Sequence, residues 1–268
     1  MRLRRYTAAT LVAAVMVSVS GCAGDEGTLG ESKGGASAAV GASLTADNFG
    51  ERVAAAQMGS RSAHIEATTS LPMGQRLAMS GDVQVGLRAE KLELAMVARM
   101  GDQGSIEVRL VDGVAYVKLP TSLAATGKPW VSVDLNEPEN PIGALFKQLM
   151  SSLDPAKFQE LYSAVEELKN LGSEKVMGLA ATHYRVSVDT AKAFAVLDLG
   201  KVSGVDLEQT LKDLPKTAVT DVWVDENALL VKVASELGGV KSEMYFSQWG
   251  EPVTVQAPPA RSVGELPF

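Results

Sequence analysis

A chain of 268 residues with 25 basic and 32 acidic side chains carries a formal charge of −7, which argues against nucleic acid as a partner and against electrostatic adhesion to anionic lipid. Its single cysteine leaves no internal disulfide, so stability must come from a packed core, for which 46% hydrophobic residues are ample. No apolar run reaches the roughly 20 residues of a finished membrane span.

The chain begins with a basic start (Arg2, Arg4, Arg5) and an apolar run from Ala8 to Val19. Residues 1–21 are therefore read as a secretory signal peptide. Val19-Ser20-Gly21-Cys22 has the pattern of a lipobox, in which cleavage precedes the cysteine and its thiol takes a diacylglycerol. A lone cysteine in an exported chain wants such an explanation. Cys22 is thus expected to be a lipid anchor holding the protein on the extracytoplasmic face of the cell membrane. Losing the leader removes three arginines and no acid, which takes the charge from −7 to −10. Residues 22–43 are rich in Gly, Ala and Ser without hydrophobic period and read as a flexible tether.

Residues 44–260 are expected to form one domain, with 261–268 as a C-terminal tail. A helix capped at Thr45 or Asp47 carries Phe49, Val53 and Ala56 and ends near Gly59. Period two then takes over, predicting strands at 62–71, 77–85, 91–98, 106–110 and 114–119, with Asp112-Gly113 as a hairpin turn and a short strand from Trp130 to Leu135. Two amphipathic helices are predicted next, Pro141 to Leu153 and Asp154 to about Asn170. A hairpin through Gly178 follows, then a helical stretch from Ala191 to Leu214 broken at Gly200 and Gly204. Strands 218–225, 229–237, 240–249 and 253–256 complete the series. The class is α+β: a single large curved antiparallel sheet, a half-barrel, with helices over the concave face.

Motifs for catalysis are scarce. His64 and His183 both fall on the polar side of their strands, and neither nucleophile elbow, zinc signature, P-loop nor dinucleotide fingerprint occurs. No cofactor, metal site or catalytic residue is expected; a hydrolase would require His183, Asp189 and a nearby serine to converge. Trp130, Trp223 and Trp249 fit a sugar-stacking platform or, more commonly, lids and edge anchors. Eight methionines after the leader and few aromatics suit either an adjustable pocket for alkyl chains or an ordinary core.

Several short segments occur together in one order: Ser80-Gly81-Asp82-Val83, Val111 to Tyr116, Lys128-Pro129-Trp130, Thr182 to Val186, Val222 to Asp225 and Gln248 to Val253. With the lipobox, this series resembles the actinobacterial LprG/LppX-type lipoproteins, which are similar in fold to the LolA and LolB carriers. The resemblance implies a hydrophobic cavity between sheet and helices that holds lipid or glycolipid acyl chains in transit through the envelope, with an envelope transporter as an expected partner and without enzymatic activity. It also implies that Leu92, Leu94 and Met96 face that cavity. The expected wall comprises Val83, Val85, Leu92, Leu94, Met96, Ile106, Val108, Leu145, Leu149, Phe158, Leu161 and Val165. The competing expectation is a surface lipoprotein without cargo that binds or signals to another protein.

Overall fold

The computed structural model describes residues 44–85, 92–101, 104–118, 120, 127–135, 165–196, 211–212 and 214–265. Twelve strands form one open, curved sheet. They are β1 (Ser62–Ser70), β2 (Arg76–Val85), β3 (Leu92–Met100), β4 (Ser105–Val111), β5 (Val114–Lys118), β6 (Trp130–Asp134), β7 (Val165–Val176), β8 (Leu179–Asp189), β9 (Thr217–Val224), β10 (Leu230–Leu237), β11 (Val240–Ser247) and β12 (Val263–Glu265). The spatial order is β12-β6-β5-β4-β3-β2-β1-β11-β10-β9-β8-β7. Two meanders are therefore joined where β1 pairs with β11, from His64 against Ser247 to Ser70 against Lys241.

Two α-helices are described from end to end, α1 (Ala46–Ser60) and α2 (Thr190–Val196), and residues 211–212 are helical as well. The Thr45 backbone N–H donates to Asn48 Oδ1 at 2.8 Å, closing the start of α1. Arg61, at φ +62, ends it by donating its N–H to Gln57 O at 3.1 Å. Phe49 and Val53 of α1 and Phe194 of α2 are buried against Tyr184, Val186, Val222, Val233, Met244 and Phe246. By strand alternation these sheet residues share one face, called inner here.

Three expectations are corrected. The helix predicted from Asp154 to about Asn170 does not extend through its last part, because β7 begins at Val165 and runs twelve residues. Val165 and Leu168 looked helical because they are three apart, but a bulge at Glu166 accounts for the spacing: Val165 faces Val188, Glu167 faces Ser187 and Leu168 faces Val186. The extra residue returns both side chains to the same face of a strand, imitating a helical interval. The sheet is also not wholly antiparallel. β12, inside the stretch expected to be a tail, adds to β6 in parallel with Val263 against Trp130. The strand expected at 253–256 does not form; Val253 instead donates its N–H to Gln84 Oε1 at 3.0 Å. The predicted helix from Pro141 to Leu153, the start of the next, and the Gly200 to Gly204 break lie outside the described residues.

Candidate functional site

Strand register places Val83, Val85, Leu92, Leu94, Met96, Ile106 and Val108 at positions of the inner face. Leu94 lies between Val83 and Leu110, Met96 between Gly81 and Val108, Val85 opposite Leu92, and Ile106 opposite Ala98. Burial along this half of the sheet is graded. At one end Ala63, Val83, Leu92, Leu110, Ala115, Val133 and Leu135 form a buried cluster, edged by Leu94 and Trp249. Farther along the same strands, Leu77, Met79, Met96, Ile106, Val108 and Val117 are only half-buried. The inner face thus has a sealed apolar end and a half-covered apolar strip.

Gly81 shapes that strip. A Cβ there would overlap the Ala95 carbonyl oxygen and stand 2.6 Å from Met96 Sδ. The flexible thioether of Met96 therefore occupies the place a side chain at 81 would take.

Val165 does not belong to this wall. It sits in β7 at the opposite edge of the sheet and packs with the cluster under α1 and α2. Leu145, Leu149, Phe158, Leu161 and Cys22 lie outside the described residues. Leu77, Met79 and Val117 share the face but were absent from the expected wall; the same period-two alternation marks them.

Sequence reasoning also missed a row of hydroxyls crossing the inner face under the helices. Thr69 faces Ser242, Ser242 faces Ser235, and Ser235 faces Thr220. Thr69 Oγ1 and Ser242 Oγ are 3.4 Å apart, whereas Ser235 Oγ is buried with no hydrogen-bond partner among the described residues. An unmade buried hydrogen bond costs about 1–3 kcal/mol. Ser235→Ala is therefore expected to leave the melting temperature unchanged or raise it by about 2–4 °C, read by differential scanning calorimetry.

The outer face carries the titratable groups. His64 Nδ1 is 2.6 Å from Asp82 Oδ1, and Ser80 Oγ is 3.5 Å from His64 Nε2. His183 stacks on Trp223 at 4.2 Å between ring centres, with Nδ1 3.4 Å from Glu174 and Nε2 3.2 Å from Asp221. Nε2 is buried, and its close polar neighbour among the described residues is that Asp221 carboxylate. Asp189 caps α2 by accepting the Lys192 N–H at 2.8 Å. Six residues along one strand separate it from His183, about 20 Å, so the His183 and Asp189 hydrolase constellation does not converge. The tryptophan rings are covered: Trp130 by Arg109 and Lys118, Trp223 by His183 and Lys232, while Trp249 stacks beside Phe246 and donates to Leu230 O at 2.8 Å. They are anchors and a lid, not a stacking platform.

Two charged groups on this face are set by their partners. Burial alone would raise the Asp221 carboxyl, but the Arg185 fork, at 2.8 and 3.0 Å, and His183 outweigh it and hold the carboxyl below its ordinary range. Burial would likewise lower Lys232, and Glu243 at 2.8 Å with Tyr245 reverses this. An outer groove of about 480 Å³ beside Lys232 is lined by Glu66, Glu174 and Lys175 as well as Met177 and Tyr245; it offers hydrocarbon no dry wall.

A carboxyl held low when folded stabilises fully above its unfolded value near pH 4 and loses that contribution as pH falls through the lower folded value. Asp221→Asn is expected to melt a few degrees below the parent at neutral pH. The two melting curves should converge as pH falls below the ordinary carboxylate range and the Asp221 carboxyl takes up its proton.

An open single sheet with an apolar inner face partly covered by helices defines the fold of the LppX/LprF-type lipoproteins. The structure matches lipoprotein LppX of Mycobacterium tuberculosis at a TM-score of 0.54 and 20% identity, over 79% of this chain and 98% of that one. LprF from Mycobacterium bovis matches at 0.52 and 19% identity, over 80% and 96%. In sequence the chain is 30% identical over 230 residues to a 31.2 kDa protein of the rplA-rplJ intergenic region of Streptomyces griseus, covering 75% of this chain and 73% of the relative. The chain belongs to that protein's family. No family model matches it.

Proposed function

We propose that the protein is a membrane-tethered carrier that shields the acyl chains of a lipid or glycolipid on the inner face of its sheet and moves them through the cell envelope. The supporting observation is the half-buried strip of Met79, Met96, Ile106, Val108 and Val117 beside a sealed apolar end. Apolar surface on such a strip gains about 25 cal/mol per Å² when hydrocarbon displaces water. Unbranched methionines let the wall fit chains of different length. Acylated Cys22 supplies the anchor, residues 22–43 the reach, and an envelope transporter or acceptor membrane the destination; no catalytic step is part of this reading.

Protein extracted from its native membrane and analysed by native mass spectrometry should carry a stoichiometric lipid released by organic solvent, together with a diacylglycerol on Cys22. Protein that is consistently lipid-free, with a strip filled by its own side chains, would overturn the carrier reading. The fold shared with LppX and LprF supports the same reading.

A further inference from the structure

Three two-residue turns in this sheet share one backbone geometry. Asp112-Gly113 (φ +51 and +77) joins β4 to β5, Gly238-Gly239 (φ +59 and +79) joins β10 to β11, and Met177-Gly178 (φ +51 and +83) joins β7 to β8. Such turns favour Asn, Asp or Gly at the first position, because a positive φ strains other side chains by about 1 kcal/mol or more. Methionine violates that rule at position 177. It is also the most exposed large apolar residue among those described, at 60%, with Leu179 at 52% and Leu171 at 46% on the same hairpin. From Val176 to Ala181 there is no charged side chain.

We propose that this hairpin tip dips into the lipid surface to which the chain is tethered, fixing the orientation of the sheet on the membrane. The inference rests on the tethered reading above for the nearness of that surface, and on the hairpin for everything else. β7 is the last strand of the sheet, so the tip lies at an edge. Leu44, where the tether meets the fold, packs against the inner-face cluster under α1 and α2. Residues 22–43, with a reach of about 25 Å, keep that fold close to the lipid surface. Two side chains at the tip, Met177 and Leu179, are far short of the ~800 Å² per partner of a stable protein interface. They suffice for a bilayer, because an anchored chain meets it at high effective concentration and only apolar burial remains to be gained.

The test uses the acylated full chain in phosphatidylcholine vesicles. Cys22 is the only cysteine, and its sulfur is a thioether once acylated, so Met177→Cys offers one thiol for an environment-sensitive fluorophore. Lys241→Cys, at the exposed opposite end of the strands, is the control. The label at 177 should shift to the blue and be quenched by spin-labelled acyl chains several-fold more than the label at 241, at low and high salt alike. Equal, water-like emission at the two positions overturns the proposal. Incorporation of two labels per chain would instead expose a failed anchor, and absence of co-purified lipid a failed carrier. Met177→Asp restores the residue type found at Asp112, so it should melt no lower than the parent, while in the acylated chain a fluorophore at Leu179→Cys loses its blue shift and acyl-chain quenching. Unchanged quenching in that folded variant counts against the hairpin without any appeal to misfolding.

Discussion

Replacement of Leu94 by tryptophan is expected to reduce the lipid that co-purifies with the protein by roughly tenfold. Leu94 lies between Val83 and Leu110, both buried, and borders the half-covered strip. An indole there extends from the sealed end into the space an acyl terminus would use. Excluding two methylenes removes about 1.6 kcal/mol of apolar transfer, which exceeds a factor of ten in affinity. Lipid per mole of protein, measured by quantitative mass spectrometry of solvent extracts, is the readout. Leu94→Met conserves volume and should retain cargo, and a melting curve for each variant separates a blocked strip from an unfolded domain. Folded Leu94→Trp with parental lipid loading would place the cargo elsewhere or deny it.

Much of this architecture was legible because one apolar face imposes period two. Ala63, Ile65 and Ala67 against Met79, Gly81 and Val83, and Leu94 and Met96 against Val108 and Leu110, announce their pairing by alternation alone. Asp112-Gly113 states its turn chemically, and Thr45 with Asn48 states the start of α1. β7 was illegible for a definite reason: its bulge shifts the interval between Val165 and Leu168 from two to three, the spacing of a helix. β12 escaped because a three-residue parallel strand has too little sequence to show a period, and its partner Trp130 is more than a hundred positions away. The hydroxyl row from Thr69 to Thr220 was equally hidden. Each member belongs to a different strand, so only the lateral register reveals that polar side chains line up under the helices.

The candidate strip was legible in type more than in extent. Alternation marked Leu92, Leu94 and Met96, yet it could not say that Leu92 would be sealed while Met96 stays half-covered, since that depends on what packs over each end. Val165 was drawn into the wall by its apparent helix, and strand order moved it to the far edge.

Gly81→Ala should be the most destabilising small substitution on this face, lowering stability by about 3 kcal/mol and the melting temperature by about 6–12 °C. In an ordinary strand the exchange helps slightly, because alanine loses less backbone entropy than glycine. Here the added methyl meets the Ala95 carbonyl oxygen and, at 2.6 and 2.7 Å, the Sδ and Cα of Met96. A thioether swings aside cheaply, but a paired strand does not. The double variant Gly81→Ala with Met96→Ala should therefore recover only part of the loss, since removing the sulfur leaves the backbone collision between β2 and β3 in place. Full recovery would mean that Met96 alone sets the space over residue 81. A single variant as stable as the parent, by calorimetry or denaturant titration, would refute the close approach of the two strands on which the shape of the strip depends.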